Sequence, residues 1–164
     1  VELNTWQQQR ITRLIVQKLF GTVSGKKLAI LGFAFKADTN DTREAPAIRI
    51  CLDLIEEGAQ LAIHDPKVSP EQIAYELNQS KKIPKDKTNL DGTWSNSNNV
   101  SDALKGADAA LILTEWTEYS NLDWTKLAQL MRAPAWVFDA RSIVDAKKVH
   151  EAGLMLWKIG ERDT

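Results

Sequence analysis

The sequence predicts an α/β fold: a doubly wound, mostly parallel sheet of about five to six strands, preceded by the end of a long helix. Three observations carry this. Short apolar runs alternate with amphipathic helical segments along the chain, the pattern of strand–helix–strand units. Runs such as Leu28-Ala29-Ile30-Leu31 and Ala109-Ala110-Leu111-Ile112-Leu113 are continuously apolar, as strands covered on both faces are. No internal repeat or second domain interrupts the alternation over 164 residues, about one domain's length.

Each element has a local signature. Asn4 is a helix cap with Gln7 three residues on, the spacing of a capping box. Ile11, Leu14, Ile15 and Leu19 then form one helical stripe, and Gly21 and Gly25 punctuate its end. Residues 27–32 read as the first strand. Pro46 sits at a tolerated first-turn position, Ile48, Cys51, Leu52 and Ile55 form the next stripe, and Gly58 ends it. Leu61 to His64 read as a second strand, stopped by Asp65-Pro66, and 70–77 as a short helix. The polar stretch 79–99 reads as a partly mobile surface excursion, its lysines balanced by aspartates. A short helix ends at Gly106, and 109–113 form the third strand. Residues 122–131 read as helix, 136–138 as a fourth strand, 146–152 as a short helix and 154–159 as an edge strand.

The bulk numbers exclude several classes. The chain is 43% hydrophobic and 26% charged, ordinary for a globular domain. A formal net charge of -1 gives no broad field for nucleic acid or a membrane surface, so any anion site must be local. No apolar run approaches the ~20 residues of a membrane span, and no signal peptide is visible. One cysteine, Cys51, excludes an internal disulfide framework and favours a reducing compartment. His64 and His150 match no metal spacing, so no metal site is expected. The start at Val1, with a helix pattern at once, reads as a piece of a longer chain.

In such sheets ligands bind beyond the carboxyl ends of the strands. The residues there are Gly32-Phe33-Ala34-Phe35-Lys36, His64-Asp65, Thr114-Glu115-Trp116 and Asp139-Ala140-Arg141. Lys36 and Arg141 can converge on a phosphate, the one as a point charge and the other as a fork. The helix opening near Ala45 adds free amides. Phe33 or Phe35 can flank a base or sugar, and Trp116 is the tryptophan with a ligand-side place. Gly32 alone does not make the GxGxxG of a dinucleotide loop. Asp65 stands where a ribose-binding acid often sits, but Asp65-Pro66 reads first as a strand stop. Cys51 lies on an apolar stripe and reads as core. Gly32-Phe33 after the first strand also rules out the acid pair of a receiver-type signalling domain.

These residues resemble a known family. GFAFKADTNDTRE (32–44), EEGAQLAIHDPKV (56–68), ILTEW (112–116) and VFDARSIVD (137–145) follow one another as in the C-terminal domain of the nucleotide-sugar 6-dehydrogenases. NTWQQQR resembles the end of that family's central helix. The wording is most similar to the UDP-glucose branch, with GDP-mannose and UDP-N-acetylmannosamine enzymes as alternatives. The resemblance implies a Rossmann-like UDP-binding domain, residues 1–24 being the end of the central linking helix and 25–164 the UDP-sugar-binding domain. It implies UDP-glucose or UDP-glucuronate as ligand, with Phe35, Lys36 and Arg141 as substrate contacts. Arg43 matches the arginine that reaches across the cleft to NAD, a cofactor held mainly by an N-terminal domain. No catalytic residue is expected here, so the isolated chain should be inactive. The N-terminal and central domains, a cytoplasmic setting and a homo-oligomeric full-length enzyme are implied with it. Relatives often carry a second arginine where this chain has Ser142. A free-standing UDP-sugar sensor is the rival reading.

Overall fold

The computed structural model describes residues 4–79 and 92–160. Helix α1 (Thr5–Lys18) begins as its cap dictates. The Gln7 amide donates to Asn4 Oδ1 at 2.9 Å, and the Asn4 amide donates back to Gln7 Oε1 at 3.1 Å. Its apolar stripe buries Ile11 and Ile15, and Leu19 just beyond its end is buried with them. The helix packs mainly against α2 (Pro46–Glu56).

Six strands make one sheet: β1 (Lys27–Leu31), β2 (Gln60–His64), β3 (Thr93–Asn96), β4 (Ala109–Ile112), β5 (Trp136–Asp139) and β6 (Met155–Lys158). Their order is β3-β2-β1-β4-β5-β6, and every pairing is parallel. The sheet is therefore all parallel, the stricter form of the expected arrangement. β1 and β4 are central and buried on both faces, which is why their sequences do not alternate. The strand order reverses between them, and at such a switch point a crevice opens beyond the carboxyl ends.

The helices cover the sheet: α2, α3 (Pro70–Gln79), α4 (Val100–Leu104), α5 (Thr117–Ser120), α6 (Trp124–Ala128) and α7 (Ala146–Glu151). α2 places Ile50, Cys51, Leu54 and Ile55 in the core. Each buried Ile or Leu contributes roughly 1.5–3 kcal/mol, so this face anchors the helix. Pro46 at its first turn removes a donor that would have had no partner.

Two local expectations are corrected. The polar excursion at 79–99 contains an edge strand, β3, although residues 80–91 lie outside the described residues. Its start depends on Gly92, whose amide donates to Ile55 O at 2.9 Å; a Cβ there would meet Ala59 O at 2.1 Å. Only a glycine lets the chain cross the end of α2 so closely. The strand TWSN is half-exposed, so no apolar run announces it. The helix expected over 122–131 is shorter, α6 alone, and an unexpected short helix, α5, precedes it. Asp123 accepts the Lys126 amide at 3.2 Å and starts α6 afresh, separating it from α5.

Candidate functional site: three loops at the switch point

The loop between β1 and α2 leaves the sheet at Gly32. There φ is +102°, and a Cβ would come within 2.4 Å of Thr114 Cβ. A glycine is therefore required for the β1 and β4 loops to lie against each other. The following backbone is then tied down group by group. Gly32 N donates to His64 O at 2.8 Å. Phe33 N and Ala34 N donate to Asp65 Oδ2 at 2.8 and 3.0 Å. Phe35 N donates to Asp41 O at 2.7 Å, and Ala37 N to Glu115 Oε1 at 2.5 Å. Thr114 Oγ1 donates to Ala34 O at 2.8 Å.

This accounting decides what the loop can hold. A phosphate cradle needs free backbone N–H groups converging on the anion. Here Gly32, Phe33, Ala34, Phe35 and Ala37 have all committed theirs to the protein. Among the described residues, this loop does not fit a dinucleotide as a backbone cradle. Recognition falls to side chains. Phe33 is fully buried and belongs to the core, so it does not flank a ligand. Phe35 is half-buried and Lys36 is exposed, which leaves both reachable from solvent.

Asp65 is far more than a strand stop. Besides Phe33 and Ala34 it accepts from Lys67 N at 2.8 Å, Val68 N at 3.0 Å and Trp116 Nε1 at 3.1 Å. One carboxylate thus binds the β1 loop, its own turn and the β4 loop. Trp116 is buried with its indole N–H on Asp65, so it braces the site and is not a ligand platform.

The β5 loop repeats the device. Asp139 is fully buried. Its Oδ1 accepts from Arg141 N at 3.0 Å; its Oδ2 accepts from Ile143 N at 2.8 Å and Val144 N at 2.9 Å. The turn this makes holds Ser142 at φ +59°. Arg141 has a side chain 13% exposed, and its guanidinium pairs with Glu115 Oε2. Glu115 Oε1 is the acceptor for Ala37 N, so Glu115 joins the Lys36 loop to Arg141.

Arg43 is placed differently. Its side chain is 88% exposed and grips Asp41 by Nε at 3.1 Å and by a terminal nitrogen at 3.0 Å. Those bonds, with the Arg43 amide on Asp41 Oδ1, hold the Asp41 carboxyl down to about 2. Asp41 in turn raises the Arg43 guanidinium. Helix α3 braces this part of the loop: Thr42 Oγ1 donates to Glu76 Oε1 at 3.1 Å, and Gln72 Nε2 donates to Asn40 O at 2.8 Å and to Thr42 Oγ1 at 3.0 Å. The structure thus ties the backbone beside Lys36 to Arg141 through one carboxylate but keeps Arg43 apart, at the outer part of its loop.

Behind the site His64 and Tyr119 are both buried. The Tyr119 hydroxyl donates to His64 O at 3.1 Å and meets His64 Nδ1 at 2.9 Å. Burial lowers the His64 pKa, against the opposing pull of Glu118 and Asp65. Cys51 is buried and its thiol is pushed up by that burial, so it is no nucleophile. No three metal-ligating side chains gather among the described residues.

Sequence reasoning placed the loops and the acids at the strand ends but missed the bracing roles of Glu115 and Asp139 and the Gln72–Glu76 brace, and undervalued Asp65. The available signal was shared: Asp65, Glu115 and Asp139 each stand at or just past the end of an apolar strand.

Comparison with known proteins gives the family and the fold. Residues 29–146 match the model of the UDP-glucose/GDP-mannose dehydrogenase family, UDP binding domain. The chain is 43% identical to UDP-glucose 6-dehydrogenase 1 of Arabidopsis thaliana over 169 residues, 98% of this chain and 35% of that protein. It is likewise 43% identical over 168 residues to UDP-glucose 6-dehydrogenase 4 of Oryza sativa subsp. japonica, again covering 98% of this chain and 35% of that one. The chain therefore spans about a third of the curated relatives it matches. Among solved structures, an NDP-N-acetyl-D-galactosaminuronic acid dehydrogenase from Methanosarcina mazei Go1 superposes with a TM-score of 0.72 at 22% identity, over 95% of this chain and 29% of that one. A UDP-glucose dehydrogenase from Pyrobaculum islandicum gives 0.64 at 21% identity, over 92% and 29%. These structures share the fold, and the family match spans the β1, β4 and β5 loops whose geometry makes the site: the chain belongs to the UDP-glucose/GDP-mannose dehydrogenase family, of which it carries the UDP binding domain.

Proposed function

We propose that this chain is the UDP-sugar-binding domain of an NAD-dependent UDP-glucose 6-dehydrogenase, which oxidises UDP-glucose to UDP-glucuronate. One observation supports it most: at the switch point Glu115 ties the backbone just after Lys36 to the mostly buried Arg141, so the two cations stand on loops held together. Lys36 offers a point charge and Arg141 a fork to the diphosphate, while Phe35 lies along the base or sugar. A corner built on side chains suits a nucleotide diphosphate whose sugar is processed by another domain. Residues 1–24 enter as the linking helix, and 25–164 form the binding domain.

NAD would bind mainly on an N-terminal domain, since the described residues here supply no dinucleotide cradle. Arg43 serves it from across the cleft: exposed on its braced loop, it is free to leave Asp41 for a phosphate when the domains close. No described side chain in this corner is a nucleophile, so the purified chain has no dehydrogenase activity of its own. The full-length enzyme is a cytoplasmic homo-oligomer. No described helix is long and apolar enough to cross a membrane.

Isothermal titration of the purified chain with UDP, UDP-glucose, UMP and GDP tests the reading. UDP and UDP-glucose should bind, and UMP and GDP should bind at least tenfold more weakly. Equal binding of GDP would refute uridine recognition, and NADH formation by the chain alone would refute its role as a binding domain.

A further inference from the structure

Among the described residues, Glu115 is the side chain that touches both the Lys36 loop and Arg141. Its Oε1 accepts from Ala37 N, the residue after Lys36, and its Oε2 accepts from the Arg141 guanidinium. The residues it joins lie far apart in sequence: Glu115 is 78 positions from Ala37 and 26 from Arg141. Glu115 sits on the β4 loop, and that loop is itself fixed. Thr114 is hydrogen-bonded to Ala34 O, and Trp116 to Asp65. Both neighbours of Glu115 are therefore anchored to the β1 side before its own side chain reaches out.

Arg141 is held equally deliberately. Its backbone is locked by Asp139 and its side chain is 13% exposed. Only one of its terminal nitrogens pairs with Glu115, and a guanidinium has five N–H donors. The fork is fixed at one nitrogen, and no other partner for its remaining donors is seen among the described residues. If Glu115 were instead a stand-in for a ligand phosphate, its other oxygen would have no need of the Ala37 amide. The second anchor makes it a strut.

We infer that Glu115 is the positioning residue of the diphosphate site: its two oxygens set the spacing and orientation of Arg141 against the Lys36 loop. The inference rests on the UDP-sugar reading for the identity of the ligand, but not for the geometry. A carboxylate beside a phosphate site costs some electrostatic attraction. That cost is offset because an arginine already oriented loses less side-chain freedom on binding.

Three variants separate the strut from a bare charge and from a competitor. Glu115→Gln keeps an oxygen for the Ala37 amide but sets an N–H donor against the guanidinium. Glu115→Asp keeps the charge but is too short to hold both partners. Glu71→Gln, an exposed acid on α3, is the control. The 15N-labelled chains are compared without ligand and then titrated with UDP. Without ligand, the Arg141 guanidinium should show hindered rotation in the wild type and the control, and free averaging in both Glu115 variants. With UDP, both Glu115 variants should bind at least tenfold more weakly while melting within a few degrees of the wild type. Tighter or unchanged binding by Glu115→Gln would make Glu115 a competitor and overturn the inference, as would wild-type affinity in Glu115→Asp. Arg141 equally restrained in all chains would overturn it whatever UDP does. A wild type that ignores UDP, with Arg141 still released by both Glu115 variants, would refute the nucleotide reading and uphold the strut.

Discussion

Two arginines of the strand-end loops stand on opposite terms. Arg141 stands on a loop whose backbone is gathered by a fully buried aspartate, and its side chain is paired across loops. Arg43 stands on a loop whose backbone is braced by α3, but its side chain is almost fully exposed and paired only two residues away. Exposed pairs hold their geometry weakly and yield to salt, whereas a partly buried, cross-loop pair fixes a direction. The first suits a contact made only when another body arrives. The second suits a permanent binding corner.

The sharpest way to break the contrast is through the buried anchor. Asp139→Ala leaves the amides of Arg141, Ile143 and Val144 without their acceptor. The Val144 amide is buried and the other two partly so; an unsatisfied buried group costs about 1–3 kcal/mol, so urea denaturation should show a loss of roughly 2–5 kcal/mol. A loss below about 1 kcal/mol would mean the Arg141 loop holds itself.

The next effect separates the arginines by ligand. Arg141→Ala and Lys36→Ala should each weaken UDP binding by about tenfold or more, since a charge-assisted hydrogen bond is worth about 1.5–3 kcal/mol. Arg43→Ala should leave UDP affinity and Tm nearly unchanged, and in the full-length enzyme should raise the KM for NAD. A loss of UDP affinity in Arg43→Ala, equal to that in Arg141→Ala, would erase the distinction.

pH gives a smaller and differently placed signal on each side. His64 has a folded pKa below its ordinary value because it is buried, so the unfolded chain takes up its proton first. Stability is then full above about 6.5 and declines as the pH falls below it. A His64→Asn chain should show a flatter Tm between pH 7 and 5. Asp41 is depressed to about 2 by Arg43. Its contribution is present above the ordinary carboxylate value, near 3.9, and fades only as the pH drops towards 2. Melting curves from pH 8 to 3 should therefore show the His64 step well before any change due to the Arg43–Asp41 pair.

Smallest of all is the backbone. Ser142 (φ +59°) follows Arg141 directly, and Glu44 (φ +55°) follows Arg43. Left-handed backbone costs a non-glycine residue about 1 kcal/mol, so Ser142→Gly and Glu44→Gly should each stabilise by up to that amount, less the glycine's entropy. A loss in either would show that the side chain holds its loop.

Much of this was legible beforehand. The five longer apolar runs, the capping box at Asn4 and Gln7, and the GFAFK and TEW motifs located the sheet and the site loops. These are local signals, carried by neighbouring residues. β3 was not legible because a half-exposed edge strand has no apolar run, and its start depends on Gly92 crossing α2. Of the two phenylalanines offered as flanking a ligand Phe33 is buried, and so is Trp116, which position in a loop does not reveal. Arg43 was expected to reach across the cleft, and the structure adds a pair with Asp41 that its position in the loop did not announce.

The sequence by itself determined the alternation of elements, the loops at the strand ends and the residue types within them, because propensity and periodicity act over a few residues. Only the tertiary structure decided which of those residues meet. Asp65 collects Phe33 from 32 positions away and Trp116 from 51, and Glu115 joins partners on either side of itself in the chain. Those meetings follow from the strand order, which sets β4 beside β1 and β5 beside β4. The order is chosen by how buried strands and covering helices pack as a whole, and no short window of sequence contains it.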